Sequence, residues 1–206
     1  MSLRIHGIAA SRAFRTIWIA KELGIKYEHV PVSWSDGGTK TKKFLQINPN
    51  AAVPAIEDGS FKLWESLAIN LYLAKKKGLG TLYPKTLKDE ALTWQWSFWA
   101  VSELEKPMQA YLANTVALPP EKRDAKLAES SWVAASKALK VLNGALAKQP
   151  YLLGKSFKVA DFNVASVLYG ALRMKADLSA TPKVAKWLKA CLTRPAALEA
   201  RKLRGE

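Results

Sequence analysis

The hydrophobic pattern of the chain changes near residue 80, from short alternating segments to long helical ones. Residues 3–8 and 27–32 have the alternation and β-branched or aromatic content of strands. Between them, apolar residues recur at helical spacing over about 11–24, with Ser11 as a good N-cap and Gly24 as a good stop. A strand, a helix and a strand in this order predict a parallel pair with a right-handed crossover.

Further short elements complete the first eighty residues. They are a polar loop over 34–43, a short helix ending near Ile47, strands over 53–56 and 61–64, and a helix from Glu65 to the lysines at 75–77. The Asp58-Gly59 step between the two strands is a strong hairpin signal. The order β-α-β-α-β-β-α predicts a small α/β domain.

Beyond Gly80 the strand signals disappear. Helical patterns extend over 86–116, 120–148, 158–174 and 182–192, with a short helix after Pro195, and proline-containing steps separate them. We therefore predict an α/β domain over residues 1–78, a linker over 79–85 and an all-helical domain over 86–206.

Composition and charge restrict the class of protein. The 206 residues are 49% hydrophobic and 24% charged, which is typical of a globular protein. No apolar stretch approaches the roughly 20 residues that span a bilayer, and the N-terminus lacks the apolar core of a signal peptide. The single cysteine, Cys191, cannot form an internal disulfide, so we expect a cytoplasmic protein without a membrane partner.

The net charge of +15 is unusual, because 32 basic side chains face only 17 acidic ones. Such a field favours an anionic partner, which could be an acidic small molecule, nucleic acid or a membrane surface. The alternative is a solvated surface that keeps the protein soluble. A nucleic-acid partner is disfavoured, although the charge by itself would allow one.

Three segments together resemble the glutathione S-transferase superfamily. They are Asn48-Pro49-Asn50-Ala51-Ala52-Val53-Pro54, then Leu63-Trp64-Glu65-Ser66, and finally Val159-Ala160-Asp161-Phe162. Upstream, Ser11-Arg12-Ala13-Phe14-Arg15 looks like the first helix of a bacterial, serine-type branch. The resemblance implies a thioredoxin-like N-terminal domain followed by an all-α C-terminal domain, with glutathione as co-substrate and no metal.

The resemblance also implies a glutathione site. Pro54 is expected to be cis, which turns the Val53 backbone outward to pair with the cysteinyl residue of glutathione like an added strand. Glu65 and Ser66 are expected to hold the γ-glutamyl group at a helix N-terminus, where anions are favoured. Lys40 is the candidate for the glycine carboxylate, with Lys42 and Lys43 as rivals.

A glutathione transferase must generate a thiolate near neutral pH. Ala10 occupies the position of the cysteine used by one class of the family, so thiol-disulfide chemistry is disfavoured. Ser11 remains as the hydroxyl that can donate to the sulfur, and the nearby Arg12 is a candidate to help stabilise the thiolate. Without a ligand, Ser11 would only cap the helix. Arg15, one turn further, is expected to pair structurally with an acid.

The helix predicted over 86–116 is rich in aromatic residues. The resemblance implies that this helix lines a pocket for the second substrate. Met108 and Tyr111 are the candidates for this pocket, and the family implies a homodimer. The favoured function is therefore a glutathione transferase that conjugates a hydrophobic or aromatic electrophile. The alternative is a non-catalytic binding module of the same fold with a protein or nucleic-acid partner.

Three departures from the family pattern qualify this interpretation. Ala51 replaces the usual glycine before Val-Pro, and Ala52 replaces a polar residue that often helps to hold glutathione. Lys158 stands where a serine or threonine normally caps the helix that carries Asp161, so half of a reciprocal capping box is expected to be missing.

Overall fold

The computed structural model describes residues 2–205, which fall into two units. Within the described residues, the first unit combines 2–84 with 193–205, and the second comprises 85–192. The change at 84/85 lies within the predicted linker. The C-terminal segment, predicted as part of the helical domain, instead packs with the first unit.

The first unit is built around a four-stranded mixed sheet. Its strands are β1 (Leu3–His6), β2 (Tyr27–Val30), β3 (Ala55–Asp58) and β4 (Phe61–Trp64), in the order β2-β1-β3-β4. The predicted parallel pairing of β1 with β2 is confirmed, and β3 is antiparallel to both of its neighbours. The β3–β4 hairpin closes with a two-residue loop, in which Gly59 has a φ of 66°.

Helices connect and cover these strands. In chain order they are α1 (Ala13–Glu22), a 3₁₀ turn (Gly38–Lys40), α2 (Lys42–Leu45) and α3 (Ser66–Gly78). Strand β3 was predicted to start at Val53 but starts at Ala55, because Pro54 has no N–H for the ladder. The fully buried Ile5 and Ile56 lie opposite each other in the sheet, and Phe44 of α2 packs with Ile47 and Ala55 in a separate cluster.

The second unit consists of helices. They are α4 (Leu87–Trp99), a π-helical turn (Ala100–Glu105), α5 (Lys106–Leu112), another π-helical turn (Ala113–Ala117), a 3₁₀ turn (Pro120–Lys122), α6 (Ala125–Ala145), α7 (Val159–Arg173) and α8 (Pro182–Leu192). The helix predicted over 86–116 is thus not uniformly α-helical. Pro107 lacks an N–H and crowds the carbonyl of Glu103, and the backbone widens there into the first π turn.

Helix α7 is the buried centre of the second unit, and it packs against α4, α5 and α8. Asp161 in its first turn is fully buried, and its carboxylate accepts hydrogen bonds from Leu152 N, Lys158 N and Trp187 Nε1 at 2.8, 3.0 and 2.9 Å. Burial raises the pKa of this carboxyl to about 6. Asn163, two residues later, donates to Ser97 of α4 at 2.9 Å.

The last helix, α9 (Pro195–Lys202), packs along α1 in the first unit. Arg194 Nε donates to the largely buried carboxylate of Glu22 at 2.8 Å, and Lys21 forms an ion pair with Glu199 at 3.2 Å. These charge pairs and the buried Ala197 and Ala200 explain why this segment joins the α/β unit.

Candidate functional site

The loop between β1 and α1 brings two predicted site segments together. Gly7 has a φ of 131°, and a Cβ placed on it would lie 2.7 Å from Ala13 Cβ and 3.0 Å from Val53 Cβ. A side chain would therefore separate the loop from Val53. The close approach of these segments requires glycine at position 7.

Ser11 lies at the end of this loop and is half-buried. Its hydroxyl donates to the Ile8 carbonyl at 2.7 Å and accepts from Ala13 N at 3.0 Å. The N-cap by backbone geometry is Arg12, not Ser11 as predicted, because the helix begins at Ala13. Ser11 nevertheless satisfies the first helical N–H from one residue further back. Arg12 is exposed.

The segment that ends in Pro54 is held by a buried asparagine. Asn48 is 2% exposed, donates to the Ala52 carbonyl at 2.7 Å and accepts from Asn50 N at 3.0 Å. The Val53-Pro54 peptide bond is cis, as the resemblance implies. Among residues 2–205, the Val53 N–H and C=O make no hydrogen bond, so both groups are available to an extended ligand.

A strained residue precedes α3. Glu65 has a φ of 72° and a ψ of 112°, a region that residues other than glycine rarely adopt and that is concentrated at functional sites. Ser66 follows as the first residue of the helix and is 6% exposed. The free N–H groups of a helix start favour an anion at this point.

Arg15 joins α1 to α3. Its side chain is buried and its Nη1 donates to Ser66 Oγ at 3.2 Å. The sequence led us to expect an acidic partner and did not connect Arg15 with Ser66. Nothing in the local pattern could have done so, because the two residues are 51 positions apart.

The remaining candidates are distributed over both units. Lys40 ends the 3₁₀ turn, and it is exposed like its rivals Lys42 and Lys43. In the second unit, Met108 is 2% exposed, whereas Tyr111 is half-buried with its ring centroid 4.6 Å from that of Trp132.

His6, which stands on the strand before the loop, belongs to a charge network. Its Nε2 lies 2.8 Å from Glu57 Oε2, and Arg4 Nη1 donates to the same oxygen at 2.8 Å. Burial lowers the pKa of the imidazole despite the nearby carboxylate. His29 contacts the Gly7 carbonyl at 2.7 Å and so helps to fix the loop.

Residues 2–205 contain no group of three or more His, Cys, Asp or Glu side chains that could hold a metal ion. None of their helices is long and apolar enough to cross a bilayer.

An α/β unit with a four-stranded mixed sheet and a helical unit together form the architecture of the glutathione-dependent transferases. Residues 1–75 match the family model described as "Glutathione S-transferase, N-terminal domain", and residues 107–195 match "Glutathione S-transferase, C-terminal domain". A glutathione S-transferase from Hyoscyamus muticus is 33% identical over 208 residues, which cover 95% of this chain and 96% of that protein.

A bacterial protein and a crystal structure are also similar to this chain. Glutathione S-transferase GstB of Escherichia coli is 29% identical over 85% of this chain and 86% of its own length. The crystal structure of the theta class glutathione S-transferase from Xanthomonas axonopodis pv. citri, with glutathione bound, superposes with a TM-score of 0.90 at 30% identity, covering 97% and 96% of the two chains. The chain belongs to the glutathione S-transferase family of enzymes. Its relatives include bacterial and plant proteins alike, so they establish the family rather than a bacterial branch.

Proposed function

We propose that the protein conjugates the thiolate of glutathione to a hydrophobic or aromatic electrophile, as a serine-type transferase. The convergence of three predicted segments at the start of α1 carries this proposal. The loop with Ser11 approaches Val53 through Gly7, and α1 contacts Ser66 through Arg15. A single tripeptide can span segments held together in this way.

The backbone and the helix start supply the contacts for most of glutathione. The Val53 N–H and C=O pair with its cysteinyl residue, as an added strand pairs with a sheet edge. Ser66 and the N-terminus of α3 receive the γ-glutamyl carboxylate, since helix starts favour anions. The exposed carboxylate of Glu65 receives the γ-glutamyl amino group.

Two further contacts concern the glycine end of glutathione and the electrophile. Lys40 is proposed to bind the glycine carboxylate, and its exposure leaves it available, but Lys42 and Lys43 are equally exposed. The electrophile pocket is proposed to include Met108 and Tyr111, of which Tyr111 is the more exposed.

Ser11 is proposed to stabilise the thiolate. On binding, its hydroxyl turns from the Ile8 carbonyl to the sulfur. Lowering a thiol pKa from about 8.5 by two units requires about 2.7 kcal/mol. A hydrogen bond to a charged group contributes about 1.5–3 kcal/mol, and the start of a helix adds about 0.3–1 kcal/mol. The hydroxyl and the α1 dipole can therefore account for the shift, with the exposed Arg12 adding a cation.

Two other properties belong to the proposal, namely a cytoplasmic location and a homodimer. The dimer is supported by exposed aromatic side chains in each unit, such as Phe61 of β4 and Phe98 of α4. Sedimentation equilibrium of the purified protein would test the dimer.

The function is tested by titrating the glutathione complex with pH and following the thiolate absorbance, together with conjugation of chlorodinitrobenzene. We expect a bound thiol pKa well below 8.5 in the wild type and a loss of most of that shift in Ser11→Ala. Ser60→Ala is the matched control, because Ser60 is exposed in the β3–β4 turn. A shift that survives Ser11→Ala would transfer the role to Arg12 or to the backbone.

Failure to bind glutathione would refute catalysis and favour the binding module. The net charge of +15 and the loss of a polar side chain at Ala52 are the features that support this alternative. Nucleic-acid binding that weakens steeply with salt would then identify the partner class.

A further inference from the structure

The C-terminal tail returns to the loop that carries Ser11. Arg204 Nη1 donates to the Ala9 carbonyl at 2.5 Å and lies 3.5 Å from the Ser11 carbonyl. The guanidinium carbon also lies 5.3 Å from the centroid of the Phe14 ring, which is a cation–π distance. One side chain thus contacts the loop on both sides of Ala10, although nearly two hundred residues separate it from that loop.

Helix α9 fixes the position of this side chain. The helix is anchored to the end of α1 by the Arg194–Glu22 pair, and its buried alanines pack along α1. After the helix ends, Arg204 N donates to the Arg201 carbonyl at 2.8 Å, which turns the tail back towards the start of α1. Arg204 is half-buried as a result.

The contact has a chemical consequence at the reacting sulfur. Carbonyl oxygens carry partial negative charge, so those of Ala9 and Ser11 disfavour an anion held at the Ser11 hydroxyl. A guanidinium bonded to them offsets this partial charge with its own positive charge. Both contacts come from one nitrogen, Nη1, whose direction is fixed by the planar guanidinium, whereas a lysine ammonium is a freely rotating point charge.

We propose that Arg204 is a positioning residue for thiolate formation. It holds the loop at Ala9 and Ser11 so that the Ser11 hydroxyl faces the glutathione sulfur, and its charge adds to the positive end of α1. The proposal rests on the proposed function, because the anion it favours is the glutathione thiolate.

The test compares three variants of the full chain, namely Arg204→Gln, Arg204→Lys and Lys202→Gln. Lys202 is exposed on the same tail, so its substitution removes a charge without touching the loop. For each variant, the pH profile of kcat/KM with chlorodinitrobenzene, the thiolate absorbance of the glutathione complex and the Tm are measured.

We expect Arg204→Gln to raise the bound thiol pKa by about half a unit, which lowers the thiolate fraction about threefold below that pKa. Displacement of the loop lowers kcat/KM further, so that the total reduction is about tenfold relative to the wild type. Misplacing a reacting group by about 1 Å can cost 100-fold in rate. Arg204→Lys keeps the charge and so the thiol pKa, but loses about twofold to threefold in kcat/KM because the planar guanidinium that directs the donor is absent. Lys202→Gln behaves as the wild type.

The outcomes separate this inference from the proposed function. If Ser11→Ala abolishes the shift of the thiol pKa but Arg204→Gln leaves the pH profile unchanged, the inference is overturned and the function stands. A change in Tm alone would likewise overturn it. If the wild type shows no lowered thiol pKa, both proposals fall. Should Arg204→Gln not fold, an unchanged kcat/KM in Arg204→Lys overturns the inference.

Discussion

Replacing Ser66 by alanine tests the anion-binding end of the proposed glutathione site. Ser66 begins α3, is 6% exposed and accepts a hydrogen bond from Arg15 at 3.2 Å. The substitution removes the hydroxyl but leaves the backbone N–H groups of the helix start in place. It therefore isolates the contribution of one side-chain oxygen.

The expected loss of affinity follows from the charge of the ligand. A hydrogen bond to a carboxylate contributes about 1.5–3 kcal/mol, so we expect the Kd for glutathione to rise about 10- to 100-fold. The protein itself loses the contact with Arg15, at a cost of about 1 kcal/mol, which lowers the Tm by about 2–4 °C in a chain of this size.

The assay is isothermal titration of the wild type and Ser66→Ala with two ligands. One ligand is glutathione, and the other is an analogue whose γ-glutamyl group lacks the α-carboxylate. We expect the wild type to bind the analogue much more weakly than glutathione. In Ser66→Ala, the Kd values of the two ligands should differ far less. The four affinities form a cycle that reports the coupling between the hydroxyl and the carboxylate.

If the analogue binds more weakly than glutathione by the same factor in the wild type and in Ser66→Ala, the reasoning is refuted. Ser66 would then not contact the carboxylate that the analogue lacks. Ser60→Ala again serves as the control for an exposed serine. An unaltered Kd for glutathione in Ser66→Ala would have the same meaning.

Two predictions concern the first turn of α7 in the helical unit. Lys158 has the extended backbone of an N-cap and receives no side-chain cap bond, since an ammonium cannot accept one. Lys158→Ser is expected to stabilise the protein by about 1 kcal/mol in urea unfolding, and no gain over the exposed control Lys155→Ser would contradict this. The pKa of Asp161 is raised from 3.8 to about 6, so its contribution to stability is present below pH 3.8 and is lost as the pH rises through 6. Between pH 3 and pH 8 the wild type should lose about 3 kcal/mol of unfolding free energy relative to Asp161→Asn, and a constant difference between the two proteins would argue against it.

The same turn shows what a motif can and cannot predict. The sequence predicts from Lys158 that half of the capping box is missing, and the acidic half is present, with Lys158 N donating to Asp161 at 3.0 Å. The roles of Leu152 and Trp187 as donors to Asp161 were not predicted. Trp187 lies 26 residues away on α8, and its sequence surroundings indicate only a buried position.

The sequence by itself determined the order and type of the elements in the α/β unit. Alternation, helical spacing and the Asp58-Gly59 step are local signals, and they predicted the parallel β1–β2 pair and the β3–β4 hairpin correctly. The effect of prolines on the boundaries of the elements was not predicted correctly. Pro54 shortened a predicted strand, and the helix predicted through Pro107 is interrupted by a π turn.

The tertiary structure alone decided which side chains meet around the candidate site. It placed Arg15 on Ser66, 51 residues away, and carried α9 and Arg204 back to the loop at Ser11. Local periodicity marks a residue as buried or exposed, but a guanidinium gains its partner only when distant segments pack together. The elements are therefore set by near neighbours in the chain, and the chemistry of the site by contacts that only the folded molecule makes.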